Sequence, residues 1–221
     1  MISNLTFRYP RARYPFRRLV ADALGIDIED DVDQLHELGP AYEHFERSTD
    51  QATVWHRRFY DYSTRPAWTV RYLEFIRNVV RPTYGEPIVF QRVPTFRVAL
   101  PGNVAVGEPH RDRDYMHSET EQNWWVPVTD ATGTSAVWCE SRPGAGDYIP
   151  LECTYGQVLI FDAANLRHFN YDNRTGHTRV SFDFRVIPRR AYVPSVRSTL
   201  NSGLAFRLPE HPGELTYWSA A

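Results

Sequence analysis

Hydrophobic side chains in the first 87 residues recur at the three- and four-residue intervals that are typical of amphipathic helices. Proline and glycine divide this region into segments and predict where each helix ends. We therefore expect an N-terminal helical region over residues 1–87. The predicted helices cover residues 16–24, which end at Gly25, residues 33–46, interrupted by Gly39-Pro40, and residues 53–81, divided at Pro66 and ended by Pro82 and Gly85.

From about residue 88 the pattern changes to short runs rich in β-branched and aromatic residues, separated by turn-forming residues. Helices followed by many antiparallel-type strands favour a β-sandwich or jelly roll with helices packed against it. We predict one domain with a helical part (1–87), a jelly-roll core (88–188) and a C-terminal segment (189–221) that packs back over the body. The predicted strands are residues 88–92, 95–100, 104–108, 123–128, 135–139, 157–161 and 178–187, and a further possible strand covers residues 168–171.

Composition excludes several classes of function. The chain contains no lysine, so both a lysine Schiff base and a GK[ST] phosphate loop are excluded. A formal net charge of -2 argues against nucleic-acid binding, and the apolar runs are too short to span a membrane. The N-terminus shows no signal-peptide pattern. We expect a cytoplasmic protein in which Cys139 and Cys153 are unpaired thiols.

A histidine and an aspartate, His110 and Asp112, are separated by one residue at the end of a predicted strand. On an extended strand, residues two apart point to the same side, so both side chains can address one ion. His168, which follows the strand 157–161, can complete a set of two histidines and one carboxylate. This set suits ferrous iron and leaves two positions for a 2-oxo acid and one for O2. The H-x-D pair alone is a weak signal, and His117 competes with His110 as a ligand.

The last predicted strand alternates polar and apolar residues without a break over residues 179–186. Its apolar face must be buried, and in a closed sandwich the polar face then points inward, where unpaired groups cost on the order of 2–7 kcal/mol. Arg179, with the Ser181 hydroxyl beside it, is suited to hold a carboxylate through parallel hydrogen bonds. The alternative is a half-exposed strand on which Arg185 pairs with Asp183 and faces water.

The H-x-D pair, the distal histidine and the R-x-S pair eleven residues later together resemble the iron(II)/2-oxoglutarate-dependent oxygenase superfamily. Residues 110–117, 121–129, 133–141 and 178–186 are similar to small oxygenases of streptomycin-type aminoglycoside biosynthesis. The resemblance implies a double-stranded β-helix, that is, a cupin-like jelly roll. It also implies decarboxylation of 2-oxoglutarate to succinate and CO2, followed by hydrogen abstraction from the substrate, with ascorbate as an aid in vitro. Asp112 provides the carboxylate that halogenating members lack.

Five further residues are candidates for ligand contacts. Asn123 is expected to hydrogen-bond the co-substrate, and Trp125 shares its face of the strand. Tyr115 and His117 lie on the loop after the first two ligands, where substrate contacts often arise. Arg97, on the preceding strand, pairs either with an anionic substrate or with a buried acid.

Three functions fit these patterns to different degrees. The favoured one is a hydroxylase or related oxidase of a polar small molecule such as an aminocyclitol, a sugar or a phosphate of either. The second is a cupin-type isomerase or dioxygenase that uses the same ligands without 2-oxoglutarate. The third is a non-catalytic jelly-roll binding module in which His110 and Asp112 are incidental.

Overall fold

The computed structural model describes residues 4–39, 52–105, 107–199 and 203–221. Helices occupy the N-terminal region, as the sequence predicts, and α1 ends at Gly25, whose φ of 73° suits glycine. Of the predicted helix 33–46, the described part forms only a 3₁₀ turn and one helical turn, and residues 40–46 lie outside the described residues. The helices are α1 (Phe16–Leu24), α2 (Leu35–Leu38), α3 (Val54–Ser63), α4 (Pro66–Phe75) and α5 (Arg81–Tyr84).

The helical region ends at Gly85, as predicted, but Pro82 does not end it. We expected Pro82 to stop the helix, but α4 continues through a π-helical turn (Ile76–Val80) into α5, and Pro82 lies in the first turn of α5. The backbone N–H of Arg81 bonds to the carbonyl of Ile76, five residues back. Proline has no backbone N–H to donate, and the first turn of a helix does not need one. Pro82 therefore fits at the start of α5, after the wide π-helical turn. None of the helices in the described ranges is long and apolar enough to cross a membrane.

The strands, all paired antiparallel, form a large sheet and a small sheet. Within the described residues the large sheet has the order β1-β7-β4-β9-β2-β10, with β3 also beside β9, and the small sheet has the order β6-β5-β8. The strands are β1 (Leu5–Arg8), β2 (Ile88–Gln91), β3 (Thr95–Ala99), β4 (Gln122–Pro127), β5 (Val137–Cys139), β6 (Ile149–Leu151), β7 (Gln157–Phe161), β8 (His168–Phe169), β9 (Arg179–Pro188) and β10 (Trp218–Ala220).

The central strand β9 separates two packed layers. Phe182, from its apolar face, contacts the rings of Phe16 and Trp68, so the helices cover this side of the large sheet. The polar residues of β9 are buried as well, on the opposite side. There the small sheet packs on the large one through a second hydrophobic cluster that includes Trp125 and Leu159. The prediction that the polar face of this strand points into the interior is confirmed.

Several strand predictions are wrong. Residues 104–108 form no strand in their described part, because the Pro101-Gly102 turn before them and Gly107 and Pro109 within and after them favour an irregular path. Three short strands were not predicted, namely β1 within the region expected to be helical, β6, and β10 near the C-terminus. Each has only three or four residues, and its strand geometry depends on a neighbour whose position the local sequence does not reveal.

The C-terminal segment packs against the large sheet. Strand β10 pairs with β2. Phe206, Tyr217 and Trp218 form a third hydrophobic cluster with Val89 and Ile187. This packing brings the segment to the cavity described below.

Candidate metal centre

The side chains of His110, Asp112 and His168 converge, although 58 residues separate the two histidines in the chain. One donor atom of each residue lies within 4.8 Å of the others. A pair of backbone hydrogen bonds, of 3.1 and 2.9 Å, joins His110 to His168 and places their rings 4.4 Å apart. Asp112 Oδ1 lies 3.9 Å from Nε2 of His110 and 3.6 Å from Nε2 of His168. Three potential ligand atoms therefore surround one point.

Backbone carbonyls orient both imidazole rings. His110 Nδ1 lies 2.8 Å from the carbonyl oxygen of Glu108, and His168 Nδ1 lies 3.1 Å from that of Leu166. A carbonyl oxygen only accepts, so each Nδ1 carries the proton and each Nε2 offers its lone pair to the shared point. Metal-binding histidines are commonly held in this tautomer by the same kind of bond.

We expected strand alternation to bring His110 and Asp112 together, but the structure brings them together in a different way. His110 forms a single β-bridge with His168, and Asp112 begins a 3₁₀ turn (Asp112–Tyr115). Arg111 pairs with Asp114 across that turn, at 2.9 Å, outside the site. A backbone hydrogen bond of 2.9 Å from Asp112 N to the carbonyl of Ala163 completes the anchoring.

Arg185 is a site residue that the sequence analysis did not assign. Its Nε and Nη2 donate to Asp112 Oδ2 at 3.0 and 2.9 Å, and both side chains are buried. Burial alone would raise the pKa of Asp112, but Arg185 and the nearby histidines outweigh it and hold that pKa well below its ordinary value. The position of Arg185 on the inward polar face of β9, six residues after Arg179, was the available signal.

The environment of His168 favours its neutral form. Burial, with a smaller contribution from His110, lowers the pKa of His168 to about 4. The ring is therefore neutral at physiological pH, which is the form that binds a metal ion. Asp112 is charged and His168 is neutral, as metal coordination requires.

Arg179 is buried in the same cavity with part of its hydrogen-bonding capacity unused. It is 1% exposed, and its Nη1 donates to Ser181 Oγ at 2.9 Å. Its Nε and Nη2 have no hydrogen-bond partner among the described residues, and neither has Nε1 of Trp125, whose ring lies 5.9 Å from the guanidinium. Burial, and secondarily the charge of Arg97, lowers the pKa of Arg179 to about 10. A ligand that carries a hydrogen-bond acceptor can therefore pair with these donors.

Asp183 is a shared partner of three polar side chains of the cavity, those of Arg185, Asn123 and Arg97. Its carboxylate accepts from Arg185 Nη1 at 2.5 Å and from Asn123 Nδ2 at 3.4 Å. Arg97 Nε lies 3.6 Å from Asp183 Oδ1, so Arg97 pairs with a buried acid, which was one of its two expected roles. Asn123 Oδ1 has no hydrogen-bond partner in the described part of the chain.

A cavity of about 1570 Å³ contains the triad, Arg179, Asn123 and the expected substrate residues Tyr115, His117, Trp125 and Arg97. Ser181 is fully buried beside Arg179 and does not line it. His117 Nδ1 bonds to the buried Glu121 at 2.7 Å, so His117 is directed to a carboxylate rather than to the triad. The C-terminal segment supplies a wall that the sequence did not predict, formed by Thr199, Leu204, Phe206, Leu215 and Tyr217.

Comparisons with known proteins address the fold and the family separately. No protein-family model matches the chain. Among solved structures, a non-heme monooxygenase in complex with nickel, ThoJ, superposes with a TM-score of 0.51 at 15% identity, over 95% of this chain and 85% of that one. The apo form of ThoJ gives a TM-score of 0.49 at 14% identity, over 90% and 80%. The superposition on the nickel complex shows that this chain has the same fold as that monooxygenase.

Sequence similarity identifies the family. The streptomycin biosynthesis protein StrG of Streptomyces griseus is 39% identical over 213 residues, which cover 92% of this chain and 97% of the relative. Identity of this extent over nearly the whole of both proteins shows that the chain belongs to the StrG family.

Proposed function

We propose that this protein is an Fe(II)- and 2-oxoglutarate-dependent oxygenase with a double-stranded β-helix fold. It oxidises a polar small molecule, such as an aminocyclitol or sugar of an antibiotic pathway, and releases succinate and CO2. The observation that carries the proposal is a buried arginine with unpaired donors in the same cavity as two histidines and a carboxylate. When bound, iron would activate O2, which is the oxidant, and 2-oxoglutarate would supply electrons for its reduction as it is decarboxylated to succinate.

The donor set fits ferrous iron. His110 and His168 each present Nε2, with Nδ1 bonded to a backbone carbonyl, and Asp112 presents Oδ1. Two imidazoles and one carboxylate on one face of an octahedral ion are typical of non-haem iron oxygenases. These three residues hold the metal in our proposal.

The environment of Arg179 fits a dicarboxylic co-substrate. Burying donors without acceptors costs several kcal/mol, roughly 2–7 for each polar group, so the protein carries this cost for a ligand that pairs with them. Arg179 Nε and Nη2 offer parallel N–H groups to one carboxylate, and Trp125, whose ring lies 5.9 Å from the guanidinium, has an unpaired Nε1–H in the same cavity. Ser181 holds the guanidinium in place through Nη1. Asn123 lines the same cavity, and in our proposal the second N–H of its amide, beside the one that bonds to Asp183, donates to the co-substrate.

The remaining space is sized for a substrate larger than the co-substrate. Pockets for drug-sized ligands have volumes of roughly 300–1,000 Å³, so about 1570 Å³ leaves room for a molecule of more than one ring beside 2-oxoglutarate. Tyr115 lines it beside His110, with ring centroids 5.3 Å apart, and Trp125 lines it beside Arg179; His117 and Arg97 also line it. Because Glu121 accepts a hydrogen bond from His117 Nδ1, His117 has Nε2 left for a polar group of the substrate.

The direct test is aerobic incubation of the protein with Fe(II), ascorbate and 2-oxoglutarate, with succinate measured by chromatography. We expect slow succinate release without substrate and faster release with the correct polyol or aminocyclitol. His168→Ala should abolish both, since the metal is no longer held. If metal-loaded protein of normal fold forms no succinate and binds no 2-oxoglutarate, the proposal is wrong.

The second test separates the proposal from an enzyme that uses the same metal without 2-oxoglutarate. Arg179→Ala should raise the KM for 2-oxoglutarate strongly while metal binding persists. In a cupin-type isomerase or dioxygenase, the same change would leave turnover nearly unaltered.

A further inference from the structure

The two oxygens of Asp112 have different surroundings. Oδ2 accepts two hydrogen bonds from Arg185, at 3.0 Å from Nε and 2.9 Å from Nη2. Oδ1 faces Nε2 of His110 and Nε2 of His168, at 3.9 and 3.6 Å. One oxygen is thus engaged by a planar guanidinium, and the other is directed to the point where the histidine lone pairs meet.

Arg185 is itself held on its other side. Its Nη1 donates to Asp183 Oδ2 at 2.5 Å and to Thr95 Oγ1 at 3.2 Å, and its backbone N–H donates to Gln91 Oε1 at 3.2 Å. Arg185 is 7% exposed and Asp183 is 6% exposed, so water competes little for these bonds. The guanidinium is anchored in a fixed plane and cannot follow a rotation of the Asp112 carboxylate.

We propose that Arg185 is a positioning residue that restricts Asp112 to coordination through one oxygen. An octahedral ion with three protein donor atoms keeps three positions for other ligands, whereas a carboxylate that binds through both oxygens takes a fourth. By engaging Oδ2, Arg185 keeps all three positions open, two for a chelating 2-oxo acid and one for O2, and prevents Oδ2 from competing with the 2-oxo acid for one of them. This inference rests on the proposed function.

The test measures binding rather than turnover, with Co(II) as a redox-stable probe. The variants Arg185→Gln and Arg185→Lys are titrated with Co(II), and the loaded proteins are then titrated with 2-oxoglutarate and with glutarate by calorimetry. Glutarate has the same two carboxylates and chain length but no 2-oxo group with which to chelate. Arg17→Gln is the matched control, because Arg17 also pairs with an aspartate, Asp30, but lies outside the cavity.

We expect Arg185→Gln to weaken Co(II) binding by roughly 10- to 100-fold, the usual effect of removing a group that orients a ligand. At saturating Co(II), 2-oxoglutarate should bind about 10-fold more weakly, whereas glutarate should change by less than about twofold. Arg185→Lys should shift both measurements in the same direction, because an ammonium group keeps the charge but not the paired donors. Arg17→Gln should match the wild type.

Two results would overturn the inference. One is a folded Arg185 variant with Co(II) affinity within twofold of the wild type. The other is equal weakening of 2-oxoglutarate and glutarate, which would mean that Arg185 acts only through its charge. Where Arg185→Gln does not fold, Arg185→Lys decides both comparisons. If the wild type binds Co(II) but no 2-oxoglutarate, the proposed function fails, and the Co(II) affinities alone then decide the role of Arg185.

Discussion

Replacing Arg179 with methionine should make the metal-free protein more stable while it removes co-substrate binding. The burial that lowers the pKa of Arg179 to about 10 corresponds to roughly 3 kcal/mol of unfavourable free energy for the charged guanidinium. Methionine removes that cost but loses the hydrogen bond to Ser181, which contributes about 1 kcal/mol. We therefore expect the free energy of unfolding of Arg179→Met to rise by about 2 kcal/mol at neutral pH.

Co-substrate binding should change in the opposite direction. Two charge-assisted hydrogen bonds from Nε and Nη2 contribute roughly 1.5–3 kcal/mol each, so their loss should weaken 2-oxoglutarate binding by about 100-fold or more. Calorimetry on the Ni(II)-loaded protein measures this affinity, and urea unfolding of the metal-free protein measures stability. Ligand-induced stabilisation should be present in the wild type and absent in the variant.

The control and the refuting results are specific. Arg58 lies outside the cavity and donates a hydrogen bond to the carbonyl of Leu24. Arg58→Met removes that bond without relieving a buried charge, so it should destabilise the protein slightly and leave 2-oxoglutarate binding unchanged. A loss of more than about 2 kcal/mol in Arg179→Met would mean that Arg179 supports the fold rather than a ligand. Unchanged 2-oxoglutarate affinity would remove Arg179 from the co-substrate site.

Three further predictions concern neighbouring groups. Trp125→Phe keeps an aromatic side chain but removes the unpaired Nε1–H, so 2-oxoglutarate should bind about 5- to 10-fold more weakly by calorimetry, and the smaller ring should lower thermal stability because Trp125 is buried. In equilibrium dialysis, Co(II) binding should be lost in His110→Ala and in His168→Ala. His117→Ala should retain it, because the His117 ring bonds Glu121 instead. Loss of Co(II) binding in His117→Ala would mean that His117 is a ligand. Lowering the pH from about 6.5 to 4 should destabilise the metal-free protein by up to about 3 kcal/mol, because unfolded His168 takes up a proton that the folded ring, with a pKa of about 4, binds only weakly. Urea unfolding at several pH values checks this, and a pH dependence identical in His168→Asn would contradict it.

Periodicity and residue chemistry, which are local properties, were sufficient to predict the two faces of β9 and the order of helices and strands. The unbroken alternation of β9 placed Val180 and Phe182 against a packed layer and Arg179 in the interior, because side chains on a strand alternate strictly between two faces. The order of helices followed by strands was equally readable, since proline, glycine and the hydrophobic repeat act within a few residues.

Only the tertiary structure decided which distant groups meet. The bridge between His110 and His168 and the 3₁₀ turn at Asp112 bring the triad together, and neither follows from local propensity. The choice of Asp112 as a partner for Arg185, 73 residues away, depends on sheet register and on burial that makes an unpaired charge costly. Tyr217 reaches the cavity because β10 pairs with β2, a long-range contact that a three-residue strand does not encode by itself.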